Sequence, residues 1–247
     1  MRKILWGCIS AFIWIQVAQA EVKLLPVSIN LHDKASVQRG AKLFMNYCSG
    51  CHSLRYMRFN RMAKDLGLTT FTGDIDKDLL MSNLVFTTAK LEDPIQISMP
   101  AEDALQWFGR VPPDLSLSAR KYSPEWLYTY LKGFYVDKTR PFGVNNVLFP
   151  DVAMPNVLAP LAGKVIAIPN GLISGAHQPT RLVLIEPGEM NERQFDSAVQ
   201  DLVTFMVYVA EPVKLIRYRI GWFVIFFLSL FLIVAYQLKK TYWRDVH

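Results

Sequence analysis

The stretch Cys48-Ser49-Gly50-Cys51-His52 decides how the rest of the chain is read. Two thiols at i and i+3 followed directly by an imidazole form the C-x-x-C-H pattern of covalent c-type haem attachment. The spacing has a chemical reason. Two thioether bonds must reach two vinyl groups on one porphyrin edge while the adjacent imidazole drops onto the iron. On a helical turn Cys48 and His52 are i, i+4 neighbours, so one short segment can tether the macrocycle and ligate it. The same residues could instead form half of a zinc site, a disulfide or a thioredoxin-like redox pair. A zinc ribbon needs a second ligand pair and a thioredoxin motif needs a βαβ context, and the sequence offers neither. Of the three cysteines, Cys8 lies in a segment expected to be removed, which leaves Cys48 and Cys51.

Outward from the motif, the two ends of the 247-residue chain carry its targeting signals. Arg2 and Lys3 precede an apolar run from Ile4 to Val17 and the A-x-A site Ala18-Gln19-Ala20, so residues 1–20 read as a secretory signal peptide. Near the other end, Ile220 to Leu238 contains no charged residue. At 1.5 Å per residue this stretch spans about 28 Å, the hydrocarbon thickness of a bilayer. Trp222, Tyr236, Tyr242 and Trp243 mark its ends as interfacial belts do. The plan is therefore a signal peptide (1–20), an exported haem domain (21–213), a transmembrane anchor (218–238) and a cytoplasmic tail (239–247). Lys214, Arg217 and Arg219 balance Lys239, Lys240 and Arg244 across the span, so orientation follows from the signal peptide, with the haem domain in the periplasm of a bacterial inner membrane.

The formal charge of +6 belongs to those ends. Residues 21–213 hold 19 Lys and Arg against 20 Asp and Glu, a net of −1. The basic character thus reflects export and anchoring, and nucleic acid is not an expected partner. Neither a phosphate-cradling Gly motif nor a Ser/His/Asp set in recognisable context is present.

Within the exported part the pattern is mainly α, with long loops. Val37, Ala41, Phe44 and Cys48 recur at helical spacing behind Ser36 as N-cap, which puts the haem motif at the end of an amphipathic helix. Ser53 to Leu68 is basic and aromatic and is predicted helical toward Gly67. Further helices are expected over Asp76–Lys90, Glu102–Phe108 and Ser123–Lys132, and from Glu192 to Ala210 before Pro212. Pro112-Pro113-Asp114-Leu115-Ser116 must be irregular, because Pro113 lacks a donor and pushes Pro112 out of the α region. Residues 134–189 hold seven of the fourteen Pro and little helical pattern. So much loop in a compact domain wraps something large. Val165–Ile168 and Arg181–Ile185 could pair as a small hairpin around Asn170-Gly171.

The second axial ligand decides what the iron does, since a thioether closes it to small molecules and suits electron transfer. Two methionines stand before Pro in loops, Met99 and Met154, and both are admissible. Met154 is favoured because it follows the Gly-, Pro- and Asn-rich run 141–150. His32, His177 and His247 are weaker candidates.

From about Arg39 onward the chain resembles the cytochrome c1 family. Four features carry the resemblance in order: Asn46-Tyr47-Cys48-Ser49-Gly50-Cys51-His52-Ser53 through Tyr56-Met57-Arg58-Phe59-Asn60; Pro112-Pro113-Asp114-Leu115-Ser116; Arg140-Pro141-Phe142-Gly143 leading to Ala153-Met154-Pro155; and a single C-terminal anchor. The resemblance implies a class I cytochrome c-like haem domain with one covalently attached haem c. It further implies thioethers at Cys48 and Cys51, axial ligation by His52 and Met154, and Pro113 on the His side. It also implies a basic residue paired with a haem propionate. An Arg-x-Arg pattern is common at that place, whereas this chain reads Arg120-Lys121-Tyr122, and Arg120 is the expected partner.

The function implied is electron transfer. An electron would arrive from a Rieske iron–sulfur protein and leave for a c-type cytochrome, with cytochrome b completing a dimeric quinol-oxidising complex in membrane lipid. The chain would then be a non-catalytic redox subunit of quinol–cytochrome c reductase. Competing readings are an anchored cytochrome subunit of a terminal oxidase and a haem-based ligand sensor.

Overall fold

A computed structural model describes residues 24–168 and 181–244. The signal peptide, Cys8, the Asn170-Gly171 turn, His177 and His247 lie outside the described residues.

The chain runs α1 (Lys34–Tyr47), β1 (Leu54–Arg58), α2 (Phe59–Leu66), α3 (Lys77–Leu84), β2 (Pro94–Ile95), α4 (Ala101–Phe108), α5 (Ser118–Lys121) and α6 (Pro124–Lys132). It continues through β3 (Phe134–Val136), β4 (Val144–Asn146), α7 (Ala159–Ala162), β5 (Gly163–Ile168), β6 (Arg181–Pro187), α8 (Glu192–Ala210) and α9 (Lys214–Tyr242). The three strand pairs β1–β2, β3–β4 and β5–β6 are separate two-stranded antiparallel ribbons among helices, so the mainly α reading holds.

The core is the pair α1 and α8. Their backbones approach so closely at Gly40 that an added Cβ would lie 2.0 Å from the carbonyl oxygen of Asp201 and 2.7 Å from Phe205 Cβ, so only glycine fits there. Phe44 and Phe205 meet across this seam with ring centroids 5.6 Å apart, and both are fully buried. The buried Asp201 accepts from Ser36 Oγ at 2.6 Å and from Arg39 Nε at 2.6 Å. A carboxylate at this depth is tolerated because its lone pairs are taken. The α8 N-terminus is closed by a capping box between Asn191 and Gln194, and each bond of the box measures 3.0 Å.

Local expectations differ at three places. The N-cap of α1 is Asp33, whose carboxylate accepts from the Ser36 N–H, while the Ser36 hydroxyl is turned inward to Asp201. Residues 54–58 form a strand, not a helix, because β2 offers them a ladder, and Leu54 and Met57 of this strand are buried in the core. The helix begins only at Phe59 and ends on Gly67 in the left-handed conformation at φ 76°. Finally, α3 stops at Leu84, where Val85 turns extended and buries its side chain. The expected pairing of β5 with β6 forms, with Ile168 opposite Arg181 and a shift in register between Lys164 and Val165.

The closing helix α9 starts earlier than the apolar run and comprises 29 residues. That is about 44 Å of helix. It is long and apolar enough to cross a membrane, and none of its side chains is buried against the rest of the chain.

Candidate functional site: a cleft around Cys48 to His52

The α1 helix ends at Cys48, and the chain keeps turning beyond it. The amides of Cys51 and His52 both return to the Cys48 carbonyl, at 3.1 and 2.9 Å. This single turn presents both sulfurs and the imidazole to one cleft. Tyr47, Cys48, Cys51 and His52 line one part of it, Pro112 and Pro113 a second, and Ala153, Met154, Pro155 and Val157 a third; Phe108 and Arg110 complete it.

The orientation of His52 comes from the irregular segment after α4. Asp114 is the fastener: its carboxylate accepts from the Arg55 amide at 2.9 Å and from the Ser116 amide at 2.9 Å. The Leu115 amide reaches the Ser53 carbonyl at 2.9 Å, and the fully buried Ser116 hydroxyl accepts from the Tyr56 amide at 3.2 Å. Residues 113–116 are thereby strapped along residues 53–56. The strap brings the Pro113 carbonyl oxygen to 2.8 Å from His52 Nδ1. A carbonyl only accepts, so Nδ1 carries the proton and Nε2 is left with a free lone pair, the arrangement found behind metal-bound histidines. Burial lowers the His52 pKa, outweighing the opposing pull of the Pro113 carbonyl and Asp114, and keeps the ring neutral at pH 7.

Burial also pushes the Cys48 thiol up to about 12 and raises Cys51, so both are protonated thiols rather than thiolates. A reactive redox pair works through a thiolate, which this environment disfavours. The two cysteines are free, and among the described residues no group of three or more Cys, His, Asp or Glu could hold a metal ion.

Met154 reaches the same cleft by a different route. Its loop is shaped by two adjacent asparagines at the end of β4. Asn145 Oδ1 accepts from the Asn146 and Asp151 amides, both at 2.9 Å, and its Nδ2 donates to Asp137 at 3.0 Å. Asn146, almost completely buried, donates to the Tyr130 carbonyl at 2.8 Å and accepts from the Leu148 amide at 2.9 Å and the Phe149 amide at 3.3 Å. Asp151 adopts φ 63°, left-handed for a non-glycine residue, and its carboxylate is held by Arg140 Nη1 at 2.6 Å. From α6, the Tyr130 hydroxyl donates to Met154 Sδ at 3.5 Å. Burial pushes this phenol up to about 12, with the nearby Arg110 charge opposing.

The structure therefore brings Cys48, Cys51, His52, Pro113 and Met154 to one cleft. Arg120 is exposed on α5 and is not among the lining residues. The guanidinium that lines the cleft is Arg110. Met99, the other methionine before a proline, is not in the lining either. The sequence gives no sign of a role for Tyr130 or Arg110, while Asn145 and Asn146 stand out only as part of the Gly-, Pro- and Asn-rich run ahead of Met154. The donor set fits a c-type haem. Two thiols line the cavity, an imidazole nitrogen is freed by its backbone partner, and a thioether stands in the same apolar cavity, which is the set of groups such a haem would take.

A sequence profile of the Cytochrome C1 family matches residues 27–246. The chain is 52% identical over 222 residues to a cytochrome c1 of Allochromatium vinosum, covering 89% of this chain and 88% of that protein. It is 42% identical over 227 residues to a protein of Nitrosomonas europaea named ammonia monooxygenase gamma subunit, covering 92% and 90%. A solved chain of a hyperthermophilic respiratory Complex III aligns over 99% of this chain and 96% of its own, with TM-score 0.40 and 14% identity.

Proposed function

Because the chain belongs to the cytochrome c1 family, electron-transferring haem subunits of the cytochrome bc1 complex, we propose that the cleft around Cys48–His52 is its haem c site and that the residues found there divide the work. The observation that carries this reading is the 2.8 Å contact between His52 Nδ1 and the Pro113 carbonyl, which leaves Nε2 without a hydrogen bond among the described residues. When bound, haem c supplies a one-electron iron couple. Cys48 and Cys51 would tether the macrocycle as thioethers. His52, held in one tautomer by Pro113, would ligate through Nε2, and Met154 would supply the second donor. The apolar lining excludes water, and the thioether leaves no position for a small ligand, which favours carriage of electrons over sensing. A haem has two carboxylates, and two guanidiniums are proposed for them: Arg120 from the family resemblance and Arg110 from its position in the lining.

The finer assignments follow from the same premise. Electrons arrive from a Rieske iron–sulfur protein and leave to a c-type cytochrome, beside cytochrome b in a dimeric assembly. The α9 helix anchors the chain in the membrane, and the signal-peptide reading of residues 1–20 puts the haem domain in the periplasm.

Two experiments test this. The sulfur-to-iron charge-transfer band of the oxidised protein is expected to vanish in Met154→Ala and to persist in Met99→Ala; the reverse pattern would reassign the ligand. On affinity purification from mild detergent, a cytochrome b and a Rieske protein are expected with this chain. Recovery of a monooxygenase or a terminal oxidase in their place would overturn the assignment.

A further inference from the structure

We propose that Tyr130 tunes the Met154 sulfur: the hydrogen bond it donates to the thioether holds the reduction potential of the site up. The proposal rests on Met154 being an axial ligand. The geometry is direct, since the Tyr130 hydroxyl lies 3.5 Å from Met154 Sδ. A thioether has no proton, so the phenol is the donor. A sulfur with one lone pair directed at a metal still has a second, and that second pair is the one free to accept the O–H. Donation into it draws electron density from the sulfur, makes it a poorer donor to the ferric ion and so favours the ferrous state. Hydrogen bonds behind a ligand are among the levers by which a protein sets a metal's potential.

The rest of α6 and β3 keeps this hydroxyl aimed. The Tyr130 ring stacks on Trp126 with centroids 5.1 Å apart and planes within 8°. On its other side the Phe134 ring meets it edge-on at 5.4 Å. Its backbone carbonyl is tied to the buried Asn146 amide at 2.8 Å, the residue that also bends the loop leading to Met154. Donor and acceptor are therefore fastened to one buried side chain. Such shared support lets a single hydrogen bond act on an electronic property and not merely fill space.

The test is a redox titration of the detergent-solubilised holoprotein carrying Tyr130→Phe, read together with the charge-transfer band. Phenylalanine keeps the stacked ring and removes only the hydroxyl. The expected result is a retained band with the one-electron equilibrium moved about threefold toward the oxidised state, the size of one modest hydrogen bond. At 59 mV per tenfold this is a lowering of roughly 28 mV. A retained band with an unchanged potential would overturn the inference and leave Tyr130 as packing. Loss of the band in Tyr130→Phe alone would also overturn it, since the hydroxyl would then be needed to hold the ligand. Absence of the band already in the unsubstituted protein would instead remove the Met154 premise.

Discussion

The two sides of the cleft are built on opposite plans. The His52 side is a five-residue motif backed by a strap of hydrogen bonds, two of them to one carboxylate, Asp114. The Met154 side has no local motif. Its ligand candidate arrives on an irregular loop whose path is written by the side chains of Asn145 and Asn146. A covalently tethering segment has to be locally rigid, because both thioethers and the imidazole come from one turn. A thioether reaching in from a distant loop needs only one atom in place, and tertiary contacts can supply that.

Breaking each fastener separately exposes the difference. The largest effect is expected from Asp114→Ala. Two amides lose a charged acceptor, at about 1.5–3 kcal/mol per bond, so stability is predicted to fall by about 4 kcal/mol. Thermal unfolding followed by the visible circular dichroism of the haem would register this, while the Met154 charge-transfer band of the folded fraction stays. Asn146→Ala should cost less, about 2–3 kcal/mol for three neutral hydrogen bonds. Its signature is the reverse: the band weakens even at temperatures where the protein is fully folded. If both variants gave the same spectrum, the two sides would not be independently built. The smallest effect belongs to the guanidiniums. Arg110→Gln and Arg120→Gln are each expected to lower the midpoint potential by about 0.5 kcal/mol, an exposed-charge effect that amounts to roughly 20 mV. A shift in only one of the two would name a single partner for the haem carboxylates.

The legibility of the two sides follows the same division. Helices with unambiguous punctuation were readable: α6 begins at Pro124 behind the Ser123 cap, and α8 spans Glu192–Ala210 as its apolar stripe implies. The 54–58 strand was not readable, since a basic aromatic run has no strong period and only pairing with Pro94–Ile95 makes it extended. The role of Ser36 was misread for a similar reason. A serine at a helix start looks like a cap, but Asp201, 165 positions away, claims its hydroxyl. At the cleft, Pro112 to Ser116 could be seen as irregular, yet nothing in its own residues says that it lies along Ser53–Tyr56 or turns a carbonyl to His52.

By itself, then, the sequence determined what is covalently local: the thiol and imidazole spacing at Cys48–His52, the leader-like start, the uncharged run toward the C-terminus, and the helices that carry their own caps. Only the tertiary structure decided which of two Met-Pro pairs lines the cleft, which arginine does, and that Tyr130 points at a sulfur. The physical reason is the range of the forces. Spacing and capping act within a few residues, whereas the hydrogen bonds that shape this cavity join atoms about 60 residues apart on the His52 side and 24 apart between Tyr130 and Met154, and are specified only when the core between α1 and α8 has closed.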